Sequence, residues 1–228
     1  MDTKSANSAR VKALHEFVTM VLSNSKVQDS AHDLDHVLRV WKIGMHLGET
    51  EKADLEILEP ALLLHDIVRP QTFFGENEPS KKTSKTHHHK AKHNSHAIDS
   101  AALSKKILPD FYYKDEEIAK IMHAIETHHT EGGKTIPQTL EAKIVYDADL
   151  YDTLGYAGCA RAALFAAKEK MTTSEMGAQY LKKIKCMLKG VPFYTKTAVS
   201  VSNSRLTVSL DFCKELLGKE RFEEQMKR

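Results

Sequence analysis

Ala61-Leu62-Leu63-Leu64-His65-Asp66-Ile67 is an apolar run that ends on an imidazole and a carboxylate. A run of this kind belongs inside a protein, and an uncompensated carboxylate at its end would be costly to desolvate. Asp147 and Asp149, set in the apolar stretch from Ile144 to Leu150, pose the same problem. Two acidic motifs in apolar surroundings are simply explained if they meet at one cation, which supplies the missing counter-charge.

Around these motifs the chain reads as helices. Residues 1–43, 91–108, 110–131, 138–154 and 193–217 contain neither Pro nor Gly, and uninterrupted stretches of that length are too long for strands. Leu14, Phe17, Val18 and Val21 recur at i, i+3, i+4 and i+7, one apolar stripe of an amphipathic helix. Val37, Val40, Trp41 and Met45 repeat the pattern, as do Ile118, Ile121, Met122 and Ile125. Strand alternation with hairpin turns is absent. The expected fold is an all-α bundle of about eight to ten helices, with residues 1–228 in a single domain.

The segment 69–92 departs from this periodicity. It holds Pro70, Gly75 and Pro79 with Lys81, Lys82, Lys85, Lys90 and Lys92, and reads as a long basic surface loop able to steer anions. The tract His87-His88-His89 would be a weak, unselective metal binder without a fixed scaffold. Gly133-Lys134-Thr135 ends like a phosphate-binding loop but lacks the earlier glycine such a loop requires.

Composition narrows the function. Apolar residues make up 41% of the 228 and charged residues 28%, an ordinary globular balance. Lys plus Arg exceed Asp plus Glu only by 33 to 31, so a net charge of +2 gives no sign of a nucleic-acid partner. No apolar run reaches the roughly 18 residues of a membrane span, and no secretory leader is evident. Cys159, Cys186 and Cys213 are odd in number and lack metal-type spacing, which points to reduced thiols and a cytoplasmic setting. The excess is in histidine, with 13 residues. Imidazoles and carboxylates together suit Mn, Fe, Co, Ni or Zn better than Ca.

The motifs fall in a recognisable order. His32-Asp33 with His36 precede Arg39-Val40-Trp41. Leu62 to Ile67 comes next, then His96 with Ser100-Ala101, and His128 at a helix end. Lys143-Ile144 leads into Asp147-Ala148-Asp149, Asp152, Gly155, Gly158 and Arg161. In order and spacing, from about residue 11 to 218, the chain resembles the HD-domain metal-dependent phosphohydrolases, in particular their small single-domain bacterial-type members.

That resemblance implies an HD-domain helical bundle in which His36, His65, Asp66 and Asp149 bind a divalent metal. Mn, Mg, Fe, Co, Ni and Zn are all candidates. Asp147 and Asp149 lie about 200° apart around a helix, so only one can face the ion. In the family it is the Asp after Ala, which selects Asp149 and leaves Asp147 either to support the ligands from behind or to orient water. His32 or Asp33 would orient water or move its proton. His96 and His128 match positions that hold a second ion in some branches and contact phosphate in others. His129 resembles a double histidine of the cyclic-dinucleotide branch. The text that follows, from Thr130 to Thr135, departs from that branch and argues against such a substrate. Arg39, Lys143 and Arg161 are candidates to bind substrate phosphate.

The implied activity is cleavage of a phosphate ester or phosphoanhydride in a small phosphorylated substrate. A nucleotide is the best-supported class, attacked by a nucleotidase or a triphosphate pyrophosphohydrolase. A regulatory metal-binding protein on the same scaffold would be expected to have lost one of the four ligands. A two-metal oxygenase would need both His96 and His128 as ligands. No Ser-His-Asp or Cys-His arrangement stands out to support covalent catalysis.

Overall fold

The computed structural model describes residues 3–23, 34–68, 88–129, 136–189 and 193–227. Among these residues there are ten α-helices, one 3-10 turn and no strand. In chain order the helices are α1 (Thr3–Ser23), α2 (Leu34–Glu51), α3 (Leu55–Leu64), α4 (His88–Ile107) and α5 (Asp115–Glu126). They continue as α6 (Leu140–Asp152), α7 (Gly155–Lys168), α8 (Thr173–Lys189), α9 (Lys196–Leu217) and α10 (Lys219–Lys227). Within the expected loop 69–92, helix α4 already begins at His88; residues 69–87 lie outside the described residues. No helix among the described residues is long and apolar enough to cross a membrane.

The apolar core that carries the site is built on α3. From Ile57 to Leu64 every residue except Glu59 is buried, so this helix is enclosed on nearly all sides. Asp54 starts it, its carboxylate accepting the Glu56 backbone N–H at 3.0 Å, the preferred arrangement at a helix N-cap. Around α3 stand α1 through Leu14 and Val18, α2 through Val37, Val40 and Leu47, and α5 through Ile118, Ile121 and Ile125. Helix α6 adds Ala142, Ile144, Val145 and Ala148.

The crossing of α2 and α3 depends on two glycines. A Cβ at Gly44 would lie 2.4 Å from Leu62 Cδ2, and one at Gly48 would lie 2.2 Å from Leu58 Cδ2. Gly44 and Gly48 therefore form the groove into which the Leu58–Leu62 ridge fits. His36 and Val40 continue the same i, i+4 row toward the helix start, so this close approach carries His36 to the end of α3, where His65 and Asp66 emerge.

Helix α1 is tied to the other side of α3. Arg10 Nη2 meets Glu117 Oε1 at 2.8 Å and Glu56 Oε2 at 3.2 Å, while its guanidinium stacks 4.1 Å from the centre of the Tyr113 ring. A second apolar cluster joins Leu154 and Cys159 to Tyr180, Leu181 and Ile184 of α8 and to Cys213 and Leu217 of α9. Phe193 packs against both clusters.

Candidate metal centre

Five helices deliver side chains to one buried point. His36 comes from the first turn of α2, and His65 and Asp66 follow α3 directly. His96 lies within α4, His128 and His129 follow α5, and Asp149 lies near the end of α6. His36, His65, Asp66, His96, His128 and Asp149 are all buried, and His36 and His65 are fully so.

Asp66 is the hinge of the arrangement. Its Oδ2 lies 3.5 Å from His36 Nε2 and 3.6 Å from His65 Nε2. Its Oδ1 lies 3.4 Å from His96 Nε2 and 3.5 Å from His128 Nε2. Asp149 is divided in the same way, with Oδ1 3.4 Å from His36 Nε2 and Oδ2 3.6 Å from His129 Nε2. The donors thus form two adjoining groups. His36, His65 and Asp66 make one, and His96, His128 and His129 make the other; in each, the candidate ligand atoms lie within 4.8 Å of one another.

Backbone geometry fixes which imidazole nitrogen faces inward. His65 Nδ1 is 2.7 Å from the Leu62 carbonyl and His128 Nδ1 is 2.6 Å from the Ile125 carbonyl. A carbonyl only accepts, so Nδ1 carries the proton in both rings and the neutral ring offers a lone pair at Nε2. Both contacts run three residues back, to the last turn of the preceding helix. That is the physical reason for placing a histidine just beyond a helix end. His36 is oriented by a side chain instead, its Nδ1 lying 2.8 Å from Asp152 Oδ2.

These donors fit a divalent cation. His65 Nε2 and His36 Nε2 face each other at 3.4 Å, an approach that either a proton on His36 or a cation between the rings satisfies. His128 Nε2 is buried without a hydrogen-bond partner, although an atom so placed ordinarily has one. Donors about 2.0–2.2 Å from a common ion in a tetrahedral shell are themselves separated by roughly 3.3–3.6 Å, close to the separations here. Without an ion, the two facing imidazoles are pushed in opposite directions. Burial and Arg161 oppose a charge on His36, yet hydrogen bonds with Asp149, Asp152 and Asp66 raise its pKa to about 9. Burial drives His65 down to about 3, so that ring remains neutral, as a metal ligand must be. Burial works against the Asp149 carboxylate, but His36 and the neighbouring imidazoles hold its pKa well below the usual range.

Other candidate residues fall elsewhere. Asp147 accepts from the backbone N–H of Tyr194 and Thr195, both at 2.8 Å, and from Thr195 Oγ1 at 2.7 Å. This corrects the expectation that it orients water: its carboxylate is committed to the start of α9, on the opposite face of α6 from Asp149. Burial raises its pKa to about 6 despite these three donors. Arg39 and Arg161 grip a protein carboxylate. Arg39 Nε and Nη2 lie 2.7 and 3.1 Å from Asp152, and Arg161 Nη1 lies 3.1 Å from it. Lys143 stands one turn before Asp147 and so nearer its face than that of Asp149. His32 and Asp33 lie outside the described residues.

Two residues of the cluster had no role in the sequence reading. Asp152 joins His36 to both arginines, completing a carboxylate–imidazole pair that sets ring orientation. Its signal was the i, i+3 spacing from Asp149, which places both on one side of α6. His129 sits beside Asp149 although the sequence after it departs from the double-histidine pattern.

Residues 33–154 match the family model of the HD domain, more than half of the 228 residues, and the chain belongs to that family. YpgQ of Bacillus subtilis strain 168 is 30% identical over 163 residues, which cover 68% of this chain and 67% of YpgQ. The crystal structure of YpgQ in complex with ADP matches with a TM-score of 0.63 at 23% identity, covering 92% of this chain and 95% of that one. A predicted HD superfamily hydrolase from an uncultured Thermotogales bacterium matches with a TM-score of 0.59 at 23% identity, covering 92% of each chain. These two structural matches establish a shared helical fold.

Proposed function

We propose that the chain is a metal-dependent phosphohydrolase acting on a nucleotide, at a phosphate ester or a phosphoanhydride. The observation that carries this reading is the grouping of His36, His65 and Asp66, whose candidate ligand atoms lie within 4.8 Å of one another, with Asp149 Oδ1 3.4 Å from His36 Nε2. In this reading those four side chains hold one divalent cation, manganese being one of the candidates. When bound, the cation would polarise a phosphoryl oxygen and lower the pKa of water from about 15.7 toward about 7.

The protein's own groups supply the remainder. Leu62 O and Asp152 hold the His65 and His36 rings with Nε2 inward, and the two arginines hold Asp152. His96 and His128, which face the other oxygen of Asp66, would contact substrate phosphate or hold a second ion. Lys143, part-buried on α6, is the basic residue we retain for substrate, although its helix position is nearer Asp147 than Asp149. For Arg39 and Arg161 the ion pairs with Asp152 favour a positioning role. The substrate class is supported by the ADP complex of YpgQ. Residues 1–228 are read as one HD domain working on the cytoplasmic nucleotide pool.

The test is a screen of purified protein, with Mn²⁺ and without O₂, against nucleoside mono-, di- and triphosphates and simple phosphate esters. Release of phosphate or pyrophosphate that is lost in Asp66→Ala is expected. Consumption of O₂ with an organic substrate and no phosphate release would replace this reading with an oxygenase.

A further inference from the structure

Helix α6 has a narrow accessible stripe. Ala142, Ile144, Val145 and Ala148 are packed in the core, whereas Lys143, Tyr146 and Leu150 are only part-buried and follow one another at i, i+3 and i+7, on one face. Asp149 stands three residues beyond Tyr146, and side chains so spaced on a helix have Cβ atoms about 5–6 Å apart. Tyr146 is therefore the large accessible side chain one turn from the candidate ligand.

A second aromatic ring meets it there. Tyr194 lies with its ring centre 5.1 Å from that of Tyr146 and its plane inclined by 75°. Its position is fixed through the backbone, since its N–H donates to Asp147 Oδ1 at 2.8 Å and the next residue, Thr195, donates twice to Asp147 Oδ2. Neither tyrosine belongs to either apolar cluster among the described residues. The rings form a part-exposed corner, anchored from behind by Asp147, beside the helix that bears Asp149.

We propose that Tyr146 and Tyr194 receive the base of the nucleotide, so that the ring is recognised by stacking while its phosphates reach the His–Asp cluster. This rests on the nucleotide phosphohydrolase reading above and adds the residues that hold the base. An inclined aromatic pair presents a face to a planar ring and an edge beside it, and stacking of this kind tolerates any base because each has a π-face.

The test compares full-length wild type with Tyr194→Ala, Tyr194→Phe and Tyr146→Ala under Mn²⁺. The substrates are the common nucleoside triphosphates, taken singly, and inorganic tripolyphosphate, which has no base. Tyr194→Ala is expected to lower kcat/KM for the best nucleotide about tenfold relative to tripolyphosphate, through KM, with Tyr194→Phe restoring the ratio. Tyr146→Ala should act in the same direction and serves as the readout if Tyr194→Ala does not fold. An equal loss on both substrates, no loss on either, or a wild type that cleaves tripolyphosphate but no nucleotide would overturn the proposal. If the wild type cleaves neither, the phosphohydrolase reading is decided separately by the wider substrate screen, and ADP binding by calorimetry decides this proposal. A tenfold weakening in Tyr194→Ala that Phe repairs would support the corner, and unchanged or absent ADP binding would overturn it.

Discussion

Asp152 and Asp147 are both buried carboxylates of α6, yet their partners assign them opposite duties. Asp152 holds His36 Nδ1 at 2.8 Å, and removing a carboxylate that orients a ligating imidazole typically weakens metal binding about 10- to 100-fold. Asp152→Asn should therefore lower divalent-metal affinity within that range by calorimetry, while circular dichroism shows the helices intact. Asp147→Ala should act on stability, because it leaves two backbone N–H groups and the Thr195 hydroxyl without their acceptor. A loss of about 1–3 kcal/mol in urea unfolding is expected. Asp149→Asn should cut turnover more than Asp147→Asn, and the reverse order would exchange their assignments. Residue type gave two acidic motifs in apolar surroundings, and the family resemblance named four of the side chains that the fold brings close together, His36, His65, Asp66 and Asp149. What Asp147 would hold on the other face of α6 was not legible, because Tyr194 and Thr195 lie more than forty residues away in the chain.

At the scale of the helix, close contacts decide where these side chains can stand. A Cβ on Gly158 would lie 1.9 Å from the Thr153 carbonyl oxygen, an atom of the backbone just beyond α6. A Cβ on Gly44 would instead meet the side chain of Leu62, which is fully buried and has little room to turn. Gly44→Ala should cost about 1–3 kcal/mol, as other overpacked core substitutions do. Gly158→Ala should cost more, since the backbone must move; thermal melts of the two variants give the order. Periodicity foresaw the apolar stripes of α1, α2 and α5, whose Leu14, Val37, Val40 and Ile121 are buried. It could not foresee the glycine groove. Nothing in the spacing of Gly44 and Gly48 says which helix will lie across them, and the start of α4 at His88 was hidden by the basic composition of residues 81–92.

Across the molecule, the two apolar clusters share Phe193, and α9 packs on α2 and α6 as well as on α7 and α8. Our proposal of a single domain predicts one cooperative unfolding transition; two resolved transitions would separate the C-terminal cluster. A cation that binds only the folded chain, supplied at 100 times its Kd, adds about 2.7 kcal/mol. For a chain of this size, that corresponds to a rise in Tm of about 5–11 °C. The most direct measurement is elemental analysis of dialysed protein, comparing wild type with His65→Ala and Asp66→Ala. The account predicts at least one equivalent of a divalent transition metal per wild-type chain and its loss in both variants. Stoichiometric metal retained in both variants would contradict it.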